Sequence, residues 1–352
     1  MKILFYLHHP AHFHLFRYTI RKLKANHHDV TIIATKKDVL EDLLHSEGWE
    51  YENFLPHGRK DNKFSIAYGL LKQDFRLLKK CLANRPDLLI GTSTEICHIG
   101  YLLHIPNIFV NEDDADVIPL VKILAHPFAK YLLSPDVCIT GRPEKTITYK
   151  GYHELAYLHP NVFTPDKNIV RNYFNPDEKY FILRFAKLKA HHDSGVQGID
   201  TKTAEQLIQM MSAHGKVYIT AERELEKEFE PYRLNIKPID MHHVMAFASL
   251  YIGDSQTMAA EAGVLGVPFI RYNDFAGRIG YLRDIEDNYK LGYGIKPDNT
   301  SLLFKTLEEL LATKNLKEIW QERRLKMLDE KIDVTKFFVE VVEGGKVQSS
   351  KF

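Results

Sequence analysis

The sequence has no run of 18 consecutive apolar residues, so no segment reads as a helix that crosses a bilayer. Its opening, "MKILFYLHHP", holds too short an apolar run for a signal peptide and reads instead as a buried first strand. Cysteine is scarce. Cys81, Cys97 and Cys138 are odd in number and show no CxxC spacing, which argues against a disulfide framework or a structural zinc site and fits a reducing cytoplasm. Excess charge is also lacking, because 47 basic and 46 acidic residues leave a formal charge of +1. No whole-molecule field therefore draws the chain to nucleic acid or an anionic surface, and a polyanionic partner must be met locally.

What is present is the composition of a folded chain, 45% hydrophobic and 26% charged, with 352 residues suiting two domains. Short, fully apolar runs such as residues 2–7, "DVTIIAT" (29–35), "DLLIGT" (87–92) and "NIFVN" (107–111) read as strands buried on both faces. Between them lie helical periods over 13–26, 37–48, 64–83 and 95–103, the first aligning Phe13, Phe16, Ile20 and Leu23. From 141 to 178 the pattern lapses into a proline-bearing stretch that reads as an interdomain connection. "KYFILRF" (179–185) restarts the alternation, followed by "KVYITA", "LYIGD" and "VPFIRY" with helices between and beyond. The expected fold is α/β, two Rossmann-like doubly wound domains facing each other across a cleft. Their bounds are 1–165 and 166–333, with a helix at 334–343 that packs back on the first domain and a frayed tail at 344–352.

Ligands of such sheets bind beyond the carboxyl ends of the strands, which singles out the loops 8–13, 92–95, 111–117, 185–200 and 253–258. The most informative is "YIGDSQTMAAEAGVLGVPFIRYN" (251–273). Asp254 and Ser255 cap a helix of small residues, whose first N–H groups, at Gln256, Thr257 and Met258, suit a diphosphate. Glu261, under two turns along, can accept the hydroxyls of a ribose; the alternative is a structural salt bridge. This stretch resembles the donor-binding signature of the GT-B superfamily of nucleotide-sugar glycosyltransferases and non-hydrolysing UDP-N-acetylglucosamine 2-epimerases. In the epimerase run D-S-G-G-x-x-E-E-A-x-x-L-G-x-P, the matching residues are Asp254, Ser255, Glu261, Ala262, Leu265, Gly266 and Pro268, with Gln256 and Thr257 in place of the glycines. The resemblance implies that Ser255 and the N–H groups after it meet phosphate and that Glu261 meets the ribose. Nearly the whole chain also resembles a family of GT-B-like proteins known as a domain of unknown function, on the His-rich first loop, "YKGYHELAYL", "HHD" and "GRIGYLRDIEDNYKLGYG".

The first loop, "HHPAHFHLF" (8–16), crowds four histidines after a strand. In several GT-B transferases this loop carries a general base, and His12 is the candidate here, with His14 on the first helical turn as its rival. His8 and His9 are read as solvated or capping residues. The H-x2-H-x-H spacing does not match structural zinc patterns, and no metal or further cofactor is expected beyond a nucleotide-sugar donor, most simply a UDP-sugar. In "FVNEDDADV" (109–117), Glu112 occupies the place of an epimerase acid, and the run is otherwise an acidic helix cap. The preceding epimerase motif, Gly-Asp-Thr-Thr, finds "GTSTE" (91–95), with Thr92 where the acid is expected. After the second domain's first strand, Arg184, Lys187, Lys189, His191 and His192 form a cationic group that suits a leaving diphosphate, with His192 placed among the catalytic residues. Arg278 is a second candidate for that charge. Glu154 and Tyr157 fall in the connection, and His27, His28, His242 and His243 read as surface residues. The stretch 117–133 reads as a buried crossover helix or, alternatively, an interfacial helix on a membrane.

These readings describe a glycosyltransferase that uses a nucleotide-diphosphate sugar in cell-surface polysaccharide or glycoconjugate synthesis, with a sugar or lipid-linked acceptor and no nucleic acid. It is placed in the cytoplasm, with a peripheral site at the inner membrane face. A nucleotide-sugar 2-epimerase or hydrolase and a non-catalytic nucleotide-sugar-binding protein are the alternatives.

Overall fold

A computed structural model describes residues 1–55, 63–186 and 198–344 and divides the chain into two units. Unit 1 comprises Met1–Val162 with Ile332–Phe352, and unit 2 comprises Phe163–Lys331.

Unit 1 begins with β1 (Lys2–Leu7), α1 (Pro10–Ala25), β2 (Asp29–Ala34), α2 (Leu40–Ser46) and β3 (Glu52–Asn53). It continues with α3 (Lys63–Ala83), β4 (Leu88–Gly91), α4 (Thr94–Leu103), β5 (Asn107–Val110), α5 (Pro119–Leu124), β6 (Tyr131–Pro135), β7 (Thr146–Tyr149) and α6 (Leu155–Leu158). The strands form one parallel sheet in the order β3-β2-β1-β4-β5-β6-β7. Phe13, Phe16, Ile20 and Leu23 of α1 are all buried, as their spacing requires. On the opposite face Leu77 and Cys81 of α3 and Ile96, Cys97 and Ile99 of α4 share a core with Leu4, Leu89, Phe109 and Leu132 of the sheet.

Unit 2 begins with α7 (Lys167–Arg171), β8 (Tyr180–Phe185), α8 (Thr201–Ser212), β9 (Lys216–Ala221), α9 (Met241–Phe247), β10 (Leu250–Gly253) and α10 (Gln256–Leu265). It ends with β11 (Phe269–Tyr272), α11 (Gly280–Arg283), β12 (Gly292–Ile295), α12 (Thr300–Ala312) and α13 (Leu316–Glu330). Its parallel sheet has the order β12-β11-β10-β8-β9. Arg271 of β11, wholly buried, is held by both carboxylate oxygens of Glu286 and by Asn273 Oδ1, which satisfies a charge that the core would otherwise expel. A last helix, α14 (Val334–Val342), belongs to unit 1, where Phe338 lies against Phe16 and Tyr149.

Three expectations need correction. Residues 117–133 form neither a long buried crossover helix nor a long interfacial one; α5 has six residues, none buried, and Tyr131 already begins β6. The stretch 141–178 is not all connection, because its Thr146–Tyr149 pairs with β6 as the sheet's last strand. Tyr157 therefore lies on α6 of unit 1, and Glu154 is the residue that precedes that helix. Among the described residues no helix is long and apolar enough to cross a membrane.

Candidate active site

In both parallel sheets the strand order reverses between two adjacent strands, and open α/β sheets bind ligands at the carboxyl ends of such pairs. In unit 1 the pair is β1 and β4, and in unit 2 it is β8 and β10. The two places are built alike. β4 ends in "IGTST" and β10 in "IGDSQT", each strand closing on a glycine before a serine-capped helix. A Cβ on Gly91 would stand 2.8 Å from Tyr6 O, and one on Gly253 would stand 2.7 Å from Arg184 Cβ. Both glycines are therefore demanded by the close approach of the neighbouring strand.

In unit 1 the His-rich loop leaves β1 at this point. His9 caps α1, its Nδ1 accepting from Ala11 N–H at 3.2 Å. His14 is buried and lies 5.4 Å from the Tyr157 ring. His12 reaches across to the end of β4, where Thr92 Oγ1 lies 3.0 Å from Nδ1 and 2.9 Å from Nε2. The backbone N–H of His8 also points at His12 Nδ1, at 3.4 Å. Burial, then the neighbouring His8 and His9, holds the His12 pKa well below the usual imidazole range.

The next strands complete the cluster. Glu112 follows β5 and His153 follows β7, and Glu112 Oε2 lies 3.2 Å from His153 Nδ1 and 3.3 Å from the His153 backbone N–H. Burial pushes His153 down to about 3, against the opposing charge of Asp113, so the ring is neutral at pH 7. With Glu112 Oε2 3.2 Å from Nδ1, the geometry assigns the single ring proton to Nδ1. Nε2 then carries the lone pair, is buried and has no hydrogen-bond partner among the described residues. Asp113 is itself raised, chiefly by burial. Glu95 does not join this group; its carboxyl is pushed up to about 7 by burial and couples to Asp74, His98 and Tyr6 on the α3 side. Sequence reasoning named His12 and Glu112 and missed His153, whose signal was a β-branched "TITY" run immediately before "KGYHE".

In unit 2, Ser255 caps α10, its Oγ accepting from Met258 N–H at 3.4 Å, with Gln256, Thr257 and Met258 half-buried on the first turn. Asp254 Oδ1 accepts from Ala186 N–H at 2.6 Å and so ties the end of β10 to that of β8. Burial raises its pKa. Arg184 pairs with Glu222. Arg278 is exposed, 5.8 Å from the Phe275 ring centre. Glu261 is 4% exposed, and His242 Nε2, on a residue 5% exposed, lies 2.9 Å from its Oε1. His242 is thus an interior partner of the candidate ribose ligand and not a surface residue. His192, with Lys187, Lys189 and His191, lies outside the described residues. Among the described residues no group of three His, Cys, Asp or Glu is arranged to hold a metal ion.

Two Rossmann-like units, each built on a doubly wound parallel sheet, are the architecture of the GT-B class of fold, and solved structures of that class agree over nearly the whole chain. The UDP-GlcNAc 2-epimerase of Neisseria meningitidis, bound to UDP-GlcNAc, superposes with a TM-score of 0.68 at 13% identity, covering 98% of this chain and 100% of its own. That of Methanocaldococcus jannaschii, in complex with UDP-GlcNAc and UDP, gives 0.67 at 16% identity, with 92% and 99% covered. The calicheamicin glycosyltransferase CalG4 gives 0.60 at 15% identity, with 99% of both chains covered. At these identities the likeness establishes the fold. The chain belongs to the family of proteins of unknown function DUF354, whose profile matches residues 1–278. No curated protein matches it in sequence.

Proposed function

We propose that the protein is a glycosyltransferase that takes its sugar from a nucleotide diphosphate, most simply UDP. The observation that carries this reading is the Glu112–His153 pair, which leaves a neutral, unpartnered imidazole nitrogen at the carboxyl edge of unit 1's sheet. A carboxylate that fixes the tautomer of a histidine and stabilises the imidazolium as it forms, against the burial that otherwise disfavours that cation, is the arrangement that deprotonates a hydroxyl. An acceptor hydroxyl is the proton source that glycosyl transfer supplies. His153 suits the role of base better than His12, because the His12 Nδ1 lone pair already faces the His8 N–H. His12 and Thr92 then orient the acceptor beside it.

The donor is assigned to unit 2, where Ser255 and the first-turn N–H groups of Gln256, Thr257 and Met258 would meet the diphosphate and Glu261 the ribose. Arg184 and Arg278 are the cations proposed for the leaving phosphate, together with His192. The similarity to structures that hold UDP-GlcNAc supports a UDP-sugar as the first donor to try. No metal or other cofactor enters this scheme. Epimerisation at the sugar is disfavoured by Thr92, which stands in the acid's place bonded to His12, and by Glu95, which couples to the α3 side.

The test is NMR of the protein with UDP-N-acetylglucosamine in deuterated water without acceptor. The expected result is a broadened donor spectrum with no new epimer and no deuterium at C2. A C2-deuterated sugar would overturn transfer in favour of epimerisation.

A further inference from the structure

The outer surface of α3, α4 and α5 is apolar where a helical layer over a sheet is ordinarily polar. The inner faces of α3 and α4 share one core on one side of unit 1's sheet, with Val121 of α5 packed against it. His98 of α4 joins them laterally, with Nδ1 2.9 Å from Asp74 of α3 and Nε2 2.9 Å from Leu124 O of α5. The opposite side of this layer carries Tyr68, Leu71, Phe75 and Leu82 on α3, Tyr101 and Leu102 on α4, and Leu120 and Ile123 on α5. All eight are between 59 and 71% exposed. On α3 the positions 68, 71, 75 and 82 fall on one narrow stripe at 3.6 residues per turn. Scattered exposed leucines need no explanation, but a shared face on three adjoining helices does.

Charge identifies the occupant. Lys72 and Lys79 lie on the same stripe of α3, and Lys122 separates the exposed residues of α5; all three are exposed. The only carboxylates on the described side chains of the three helices are Asp74 and Glu95. Asp74 is bonded to His98, and Glu95 is buried. The face is therefore apolar and cationic with no exposed acid. A second copy of the same face would set its lysines against lysines, whereas anionic headgroups over an acyl layer complement both properties. We infer that the α3–α4–α5 face of unit 1 docks on an anionic phospholipid surface. The protein then works at a bilayer without crossing it, and an acceptor held in that bilayer is within its reach.

The experiment is vesicle co-sedimentation of the full chain. Vesicles of phosphatidylcholine with about one third phosphatidylglycerol should bind it about tenfold more than phosphatidylcholine alone, and binding should weaken with salt. Phe75→Ser with Leu120→Ser should abolish sedimentation while circular dichroism is unchanged, both side chains being exposed. Lys72→Glu with Lys79→Glu should do the same through charge alone. Absence of binding to the anionic vesicles would overturn the inference. So would a dimer in analytical ultracentrifugation that the Phe75→Ser, Leu120→Ser variant dissolves, because the face would then be a self-contact.

Discussion

His153 and Glu112 face each other across 3.2 Å from loops that follow different strands, β7 and β5, although 41 residues separate them in sequence. The carboxylate takes both the ring Nδ1–H and the backbone N–H of His153, so the ring has one tautomer and one orientation.

If Nε2 is the base, His153→Ala should lower transfer by about 10²–10⁴-fold while UDP affinity measured by calorimetry is unchanged. Glu112→Gln, which keeps one acceptor oxygen, should cost less than His153→Ala. His12→Ala should act mainly on the acceptor KM. A His153→Ala enzyme with full turnover would return the role of base to His12.

The same cluster sets a pH dependence of stability. His12 and His153 are held neutral in the fold, whereas in the unfolded chain they titrate near pH 6.5. As pH falls below about 6.5 the unfolded chain binds protons that the fold refuses, so each histidine lowers stability by up to about 1.4 kcal/mol per pH unit. Glu95 works the other way. Its carboxyl stays protonated in the fold to about 7, so between its unfolded value near 4.5 and 7 it destabilises as pH rises. Asp113, Asp254 and Glu286, raised by burial, act in the same direction as Glu95, and His126, lowered by burial, acts with His12 and His153. Urea unfolding should show the histidines prevailing, with stability falling from pH 6.5 to 5. Glu95→Gln should steepen that fall and stabilise the protein at pH 8. Equal slopes for wild type and Glu95→Gln would mean that Glu95 is ionised in the fold.

The buried His242–Glu261 pair joins stability to donor binding. Glu261→Ala leaves the imidazole without that carboxylate and should cost about 1–3 kcal/mol of stability. It should also weaken UDP binding. His242→Ala should weaken UDP binding through the lost orientation of Glu261, and His242→Gln should restore part of it. Unaltered affinity in Glu261→Ala would remove the main support for a donor site on α10.

The core strands were legible because parallel strands covered on both faces leave unbroken apolar runs, as in "KILFYL" and "YFILRF". The strands missed lacked that signature. β7 is "TITY" in a proline-bearing stretch, β12 is "GYGI" with two glycines, and β6 lies inside a longer apolar run that reads as helix. His12, Glu112, Ser255 and Glu261 could be named because each follows a recognisable strand. His153 was hidden with β7. His242 looked superficial because its partner is 19 residues away on another helix, a relation that only packing creates.

The position of α14 has a consequence for how the chain comes off the ribosome. Unit 2 is one continuous stretch, but unit 1 takes its last helix from beyond it, with Ile332 N–H bonded to Lys150 O and Phe338 laid over Phe16 and Tyr149. The first part synthesised is therefore among the last to be finished. Throughout translation of residues 163–331 the α1 surface that Phe338 will cover stays open, and nascent unit 1 presents apolar rings that only the arrival of α14 removes from water.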